Sequence, residues 1–360
     1  MTDSKSMIDE TKAVRDFRRL FERAAANGGE EKLFGRGSLV AALQVIQKSS
    51  LVGTDPVFFH LEVPLTGSPR MDLFLEYNCR EIKSPVRFAQ GDGFGWKPFL
   101  AECVNDKNLR EYMFDFAFDL SEGKKQPNIY LIPLFKDANC DYIPAMLERM
   151  GIPERRERLM EAFAAAPAGW KPYYAGFLDM RPDSPIRFGF QIARERMEAY
   201  AEDVAIMKRD LSVYCAIPMG TTMTEQLALL AGEKRPCDID LNIYPDGTFG
   251  EGFGITLDPD IKFRDVRRPE ETMASGVMKH LLSMATEWGL ADERQEQIGK
   301  ACYAVGRLVK DGADRVMVAD VVKPYVIKIR FQKDGACLAK IYLTALSREL
   351  ERYSCEDGKK

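Results

Sequence analysis

The residues best equipped for chemistry lie near the C-terminus, in "YVIKIRFQKDGACLAKIYLTA" at 325–345. Alternation puts Tyr325, Ile327, Ile329 and Phe331 on one face of a strand and Lys328 and Arg330 on the other. Asp334-Gly335 is a strong hairpin signal. Beyond it, Ile341 and Leu343 oppose Lys340 and Tyr342. Cations and a tyrosine gathered opposite an apolar face suit an enclosed cavity that holds an anion. They also suit a sheet face turned to water, as in an antiparallel sheet covered on one side only.

The other strands share this two-faced pattern. Val57, Phe59, Leu61 and Val63 oppose His60 and Glu62, and Met71, Leu73, Leu75 and Tyr77 oppose Arg70, Asp72 and Glu76. Ile186, Phe188 and Phe190 oppose Arg187 and Gln191, and Ile239, Leu241 and Ile243 oppose Asp238, Asp240 and Asn242. Each strand therefore has an apolar face that needs a cover and a charged face that need not have one.

The elements that would position these residues follow in order. A helix is expected over 8–26, then a hairpin of 57–64 with 70–77, an irregular glycine-rich stretch over 78–96 and a mostly helical segment over 97–120. A strand at 128–135 precedes two helices across 141–166, and a hairpin of 173–180 with 184–191 precedes helices in 192–232. A third hairpin, 238–244 with 248–257, turns at Pro245-Asp246-Gly247, and two helices over about 270–310 lead to the C-terminal hairpin. About nine strands are countable directly. Hairpins joined by helix pairs form a repeated unit. Such repetition closes naturally into an antiparallel barrel with helices outside and a polar lumen, which removes exposed edges. The rival is an open sheet with helices on one side. The expected organisation is an N-terminal helical segment at 1–50, a barrel domain at 51–345 and a C-terminal tail at 346–360.

Several stretches resemble the ABBA-type prenyltransferases, which include aromatic and cyanobactin-type peptide prenyltransferases. "FFHLEVPL" is similar to the first strand of that family, which carries a glutamate near the acceptor. "NIYLIPLFKD" is similar to a strand that bears a Lys-x-Tyr, and the C-terminal hairpin keeps that motif as Lys340-Ile341-Tyr342. Asn128 departs from the pattern, since the resemblance would place a lysine there. The likeness spans roughly residues 50–345.

The resemblance implies an α+β fold, an antiparallel barrel of about ten strands wrapped by an outer ring of helices (the ABBA or PT-barrel). It implies a transferase that moves a dimethylallyl or geranyl group from its diphosphate to an aromatic or peptide side-chain acceptor in natural-product biosynthesis. On that reading Arg187, Lys328, Arg330 and Lys340 bind the diphosphate and stabilise charge on the leaving group. Tyr130 and Tyr342 shield the allylic cation with their ring faces. Glu62, with His60 beside it, takes the acceptor's proton. The alternative is a non-catalytic barrel that binds a peptide during maturation of a peptide natural product, and a third reading is an unrelated enzyme on another α+β scaffold.

Composition narrows the classes. The chain has 360 residues, 46% hydrophobic and 29% charged, which is ordinary globular composition. Its net charge of −4 argues against a general nucleic-acid binder. No apolar run approaches the roughly 18 residues that a membrane helix needs. The N-terminus, "MTDSKSMIDETKAV", lacks the apolar core of a signal peptide, so a cytoplasmic setting is expected. Eight cysteines form no CxxC pair and only two histidines exist, which argues against a zinc or iron centre or a Ser/His/Asp triad. No tightly bound cofactor is expected, and carboxylate-bound Mg2+ stays open, with Asp238 and Asp240 as ligands or as ion-pair partners.

Other motifs carry less. "QGDGFGWKPF" reads as a loop rather than a phosphate cradle, and "KFRDVRRPEE" as a solvated basic loop that could grip an acidic leader peptide. "PMGTTMTEQ" reads as a helix start with Thr222 or Thr224 as cap. "ERRERLMEAF" reads as an amphipathic helix covering the barrel. Trp170, Tyr173 and Tyr174 could meet the acceptor or fill the core.

Overall fold

The computed structural model describes residues 11–82, 87, 100–101, 105–106, 112–120, 127–133, 143, 147–148, 153–178, 184–259, 269, 273 and 276–353. The strands are β1 (Phe58–Pro64), β2 (Asp72–Asn78), β3 (Tyr112–Asp119), β4 (Asn128–Pro133), β5 (Trp170–Phe177), β6 (Ile186–Ile192), β7 (Cys237–Ile243), β8 (Phe253–Leu257), β9 (Tyr303–Asp311), β10 (Asp314–Gln332) and β11 (Gly335–Tyr353). Each pairs antiparallel with its neighbour from β1 to β8. The ring then runs through β10 and β11 back to β1, which closes a ten-strand barrel. Closure leaves no barrel strand with an unpaired edge.

The apolar faces point outward, against helices. Phe59, Leu61, Val63, Phe188, Phe190, Ile239, Ile327, Ile329 and Ile341 are all buried there. The described cover consists of α1 (Lys12–Gly28), α2 (Glu30–Leu33), α3 (Ser38–Ser49), α4 (Glu154–Ala164), α5 (Arg194–Glu202), α6 (Val204–Ser212), α7 (Thr221–Gly232), α8 (Gly276–Glu287) and α9 (Arg294–Ala301). Packing between the barrel wall and this layer makes one continuous apolar core. The charged faces are left pointing inward.

Strands β10 and β11 have 19 residues each, against five to nine in the other strands. The second half of β10 pairs with β8 and the first half with β9. The outer halves of β10 and β11, with β9, therefore run past the barrel as a three-stranded extension. Helix α1 docks on it through Arg19, whose Nε lies 2.7 Å from Asp320 Oδ2, and Arg307 of β9 meets the same oxygen at 2.7 Å.

Four expectations need correction. Residues 112–119 are strand β3, not helix: Tyr112, Phe114, Phe116 and Phe118 pack outward while Met113, Asp115 and Ala117 face in, a clean period of two. Residues 346–353 are the end of β11, not a tail, and 303–324 are strand where helix and loop were expected. Helix α7 is capped by Gly220, with no side-chain cap; Thr224 Oγ1 instead donates back to Gly220 O at 2.8 Å. The helix "ERRERLMEAF" is α4, with Leu159 and Ala162 buried. "QGDGFGWKPF" and, apart from Pro269, "KFRDVRRPEE" lie outside the described residues.

Candidate active site

The barrel encloses a cavity of about 340 Å³, within the range of small-molecule sites. All eight candidate residues line it: His60, Glu62, Tyr130, Arg187, Lys328, Arg330, Lys340 and Tyr342. The wall also carries Phe74, Met113, Ile132 and Leu338, so it mixes charge with apolar surface. Pairing explains the convergence: Lys328 stands opposite Lys340, Tyr342 opposite Glu62, and Arg187 opposite Asn242.

One end is basic. Its hub is Asp240, only 1% exposed. Lys328 Nζ lies 2.6 Å from Asp240 Oδ1, while Arg330 Nη1 and Arg187 Nε lie 3.3 and 3.7 Å from Oδ2. Burial disfavours the Asp240 charge, but Lys328, Arg187 and Arg330 outweigh it and hold the carboxyl at about 2. Burial pulls the Lys328 ammonium down, against the pull of Asp240. Three cations around one carboxylate leave two positive charges in excess.

Beside this hub, Lys340 and Tyr342 both donate to Glu62. Burial acts against the Glu62 charge, yet Lys340 and Lys328 keep its carboxyl below the usual range. Asp72, also within 3.9 Å of Lys340, goes the other way: burial and the nearby Glu62 push it up to about 8. Of these two carboxyls, Asp72 holds its proton near neutrality.

The other end is acidic. Glu76 and Asp115 stand directly opposite each other on β2 and β3. Burial and then Glu76 push the Asp115 carboxyl well up. Across the lumen, burial, Asp258 and Asp240 raise Asp238 to about 7. His60 belongs to this end: its Nε2 lies 3.0 Å from Glu76 Oε2 and its Nδ1 2.9 Å from Thr344 Oγ1.

Between the ends runs an aromatic belt. Phe74 meets Tyr342 edge-on at 5.6 Å and Tyr130 at 6.2 Å, and Tyr130 meets Tyr174 edge-on at 6.0 Å. Small residues make room for it. A Cβ on Gly176 would stand 2.3 Å from the Tyr130 ring, and one on Gly189 would stand 2.2 Å from the Tyr174 ring. Gly254 likewise leaves space for Asp240, whose Oδ1 would be 2.3 Å from an added Cβ.

Two lining tyrosines arise from one device. The tripeptide Lys-Pro-Tyr occurs at 171–173 in β5 and at 323–325 in β10. Proline cannot donate to the ladder, and the register shifts just after Pro172 and Pro324. The bulge turns Tyr173 into the lumen together with Tyr174, and Tyr325 together with Val326. This overturns the placement of Tyr325 on the apolar face with Ile327. Trp170, in contrast, is core: it is 6% exposed and its Nε1 donates to Tyr200 at 2.6 Å.

The sequence reading left Asp115 and Tyr325 out of the site. Asp115 was hidden by the helical reading of 97–120, and Tyr325 by an alternation that ignored the preceding proline. Glu76 and Asp72 were on the correct face but had no role. The Asp238–Asp240 pair does not fit a magnesium site, because the Asp240 oxygens are engaged by Lys328, Arg187 and Arg330. Among the described residues no three His, Cys, Asp or Glu side chains converge as metal ligands. Four of the five described cysteines are buried, and all five are free. No helix among the described residues is long and apolar enough to cross a membrane. No protein-family model matches the chain, and no curated protein matches it.

Proposed function

We propose that the protein is a prenyltransferase of the ABBA type, acting in a cytoplasmic setting on an aromatic or peptide side-chain acceptor in natural-product biosynthesis. The observation that carries this reading is the excess of positive charge around Asp240 beside a belt of aromatic rings, inside a closed barrel. Arg187, Lys328 and Arg330 would take the diphosphate of dimethylallyl or geranyl diphosphate. The allylic C–O bond breaks, inorganic diphosphate leaves with the bonding pair, and the acceptor atom bonds to the allylic carbon. Preorganised cations favour the charge that develops on the leaving oxygen. The faces of Tyr130, Tyr342 and Phe74 suit the carbocation.

The acceptor's proton needs a base. Glu62 is already held by Lys340 and Tyr342, and its lowered pKa makes it a weak one. Asp238, at about 7, is better matched to proton transfer near neutral pH. Mg2+, if required, would enter with the diphosphate rather than on Asp240.

A second reading, a non-catalytic peptide-binding barrel, is favoured by one observation. Lys340, Lys328, Arg187 and Arg330 each have a carboxylate partner within the chain itself. The deciding experiment is calorimetric titration of dimethylallyl and geranyl diphosphate, with and without Mg2+, and inorganic diphosphate as control. Micromolar binding of an allylic diphosphate, weakened at least tenfold in Arg187→Ala, is expected. No binding of either donor by the folded protein would discard the transferase.

A further inference from the structure

We infer that the acidic end of the cavity is a binding site for an organic cation, an ammonium or guanidinium group on the acceptor. The inference deepens the transferase reading by naming the acceptor's charge, and it applies equally to a peptide-binding barrel.

The first ground is a buried carboxyl oxygen without a hydrogen bond among the described residues. Asp115 is 8% exposed, lines the cavity, and its Oδ1 makes no hydrogen bond among the described residues. A buried carboxylate oxygen left so costs stability unless something else satisfies it. Glu76, 6% exposed, stands directly opposite on the next strand. Burial and a carboxyl in register each disfavour the Asp115 charge, which is why Asp115 holds its proton, and a cation between the two groups would let both ionise. Asp238 adds a third carboxyl to the same end. Among the described residues, His60 meets Glu76 at 3.0 Å, while the ion pairs of Arg187, Lys328, Arg330 and Lys340 run to Asp240, Glu62 and Asp72.

The second ground is the set of rings. His60 and Tyr325 stack with centroids 5.2 Å apart and planes 22° from parallel, and Tyr173 lines the cavity near Asp115, Glu76 and Asp238. Carboxylates beside aromatic faces recognise cationic nitrogen by two complementary means. The carboxylates accept charge-assisted hydrogen bonds, and the rings offer a negative face. The chain introduces the two tyrosines by bulges after Pro172 and Pro324, at the cost of ladder regularity. An anion would be repelled here, and a neutral apolar acceptor would leave Asp115 unsatisfied.

The test uses the full chain and three probes, N-acetyl-arginine amide, N-acetyl-lysine amide and the neutral N-acetyl-citrulline amide, followed by calorimetry. At least one of the two cations should bind tenfold or more tightly than citrulline amide. That preference should fall at least fivefold in Asp115→Asn and in Glu76→Gln, with thermal melts showing both variants folded. Citrulline amide binding as tightly as the cations overturns the inference, and so does no binding of either cation at millimolar concentration. An unchanged preference in a folded variant overturns it as well. The wild-type comparison stands even if a variant does not fold. No diphosphate is present, so failure here leaves the donor site untouched, and failure of geranyl diphosphate to bind leaves this site untouched.

Discussion

The two ends of the cavity solve the burial of charge in opposite ways. At the basic end each cation has an acid within reach, and Asp240 alone serves Lys328, Arg187 and Arg330. At the acidic end Glu76 faces Asp115 across the ladder, with Asp238 nearby and His60 as the one described side-chain partner of Glu76. A buried pair in good geometry roughly offsets its desolvation, whereas a buried group without a partner does not. The basic end is thus self-supporting through Asp240, with two positive charges left over for a ligand. The acidic end is a burden that the fold carries, which is the usual mark of a site arranged for a ligand rather than for stability.

The largest expected effect breaks the basic end. Asp240→Ala strands three partly buried cations in the wall, and removing one partner of a buried ionic cluster costs about 3–5 kcal/mol. Urea denaturation should show this as a drop in midpoint with little change in slope. The companion Gly254→Ala leaves Asp240 in place but puts a Cβ 2.3 Å from its Oδ1. It should cost about 1–3 kcal/mol, the usual penalty of overpacking. If Asp240→Ala were as stable as wild type, the cluster would not be a structural element and the contrast would collapse.

The next effect has the opposite sign and belongs to the acidic end. Asp238 is raised from 3.8 to about 7 by burial, Asp258 and Asp240. Between about pH 4 and pH 7 the unfolded chain releases this proton and the folded chain keeps it, so stability falls as pH rises through that window. Above about pH 7 the loss is complete. Asp238→Asn removes it, so the variant should exceed wild type by about 1–3 kcal/mol at pH 8 and match it near pH 4. Melts at the two pH values decide this. A variant less stable than wild type at pH 8 would mean that the pull of Lys328 and the hydrogen bond from Gln191 outweigh the burial of Asp238.

The sequence exposed the contrast only in part. The facing of Glu62, Arg187, Lys328 and Lys340 followed from alternation, because a period of two survives wherever the ladder is regular. It failed where the ladder is not regular. The bulges at Pro172 and Pro324 swing Tyr173 and Tyr325 inward, and counting by twos misses that. The prolines themselves were the signal, since a proline inside a strand asks for a bulge or an edge. Strand β3 shows a different failure. "YMFDFAFD" alternates plainly, but it was absorbed into a helical stretch read over too long a window. What sequence could not supply was distance: which acid would neutralise which base is settled by register across strands far apart in the chain. Lys328 meets Asp240 through β8, and no local pattern says so.

The smallest expected effect sharpens the boundary between structure and function at Lys340. This lysine donates to Glu62, with side-chain exposures of 19% and 9%, so the pair is neither fully dry nor freely solvated. Removing Lys340 leaves Glu62 with the Tyr342 hydroxyl and the protonated Asp72 carboxyl as donors. A double-mutant cycle of Lys340→Ala and Glu62→Gln isolates the pair, and contacting charges couple by about 0.5–3 kcal/mol. A coupling near 1 kcal/mol is expected, because partial exposure screens the charges. Donor binding then separates two roles. If Lys340 swings from Glu62 to the diphosphate, geranyl diphosphate should bind Lys340→Ala more weakly by about 1.5–3 kcal/mol, the range for a hydrogen bond to a charged group. The coupling with Glu62 should also vanish when the cycle is repeated at saturating donor. A coupling that persists undiminished with donor bound, together with unchanged affinity in Lys340→Ala, would assign the lysine wholly to Glu62. The diphosphate would then belong to Arg187, Lys328 and Arg330 alone.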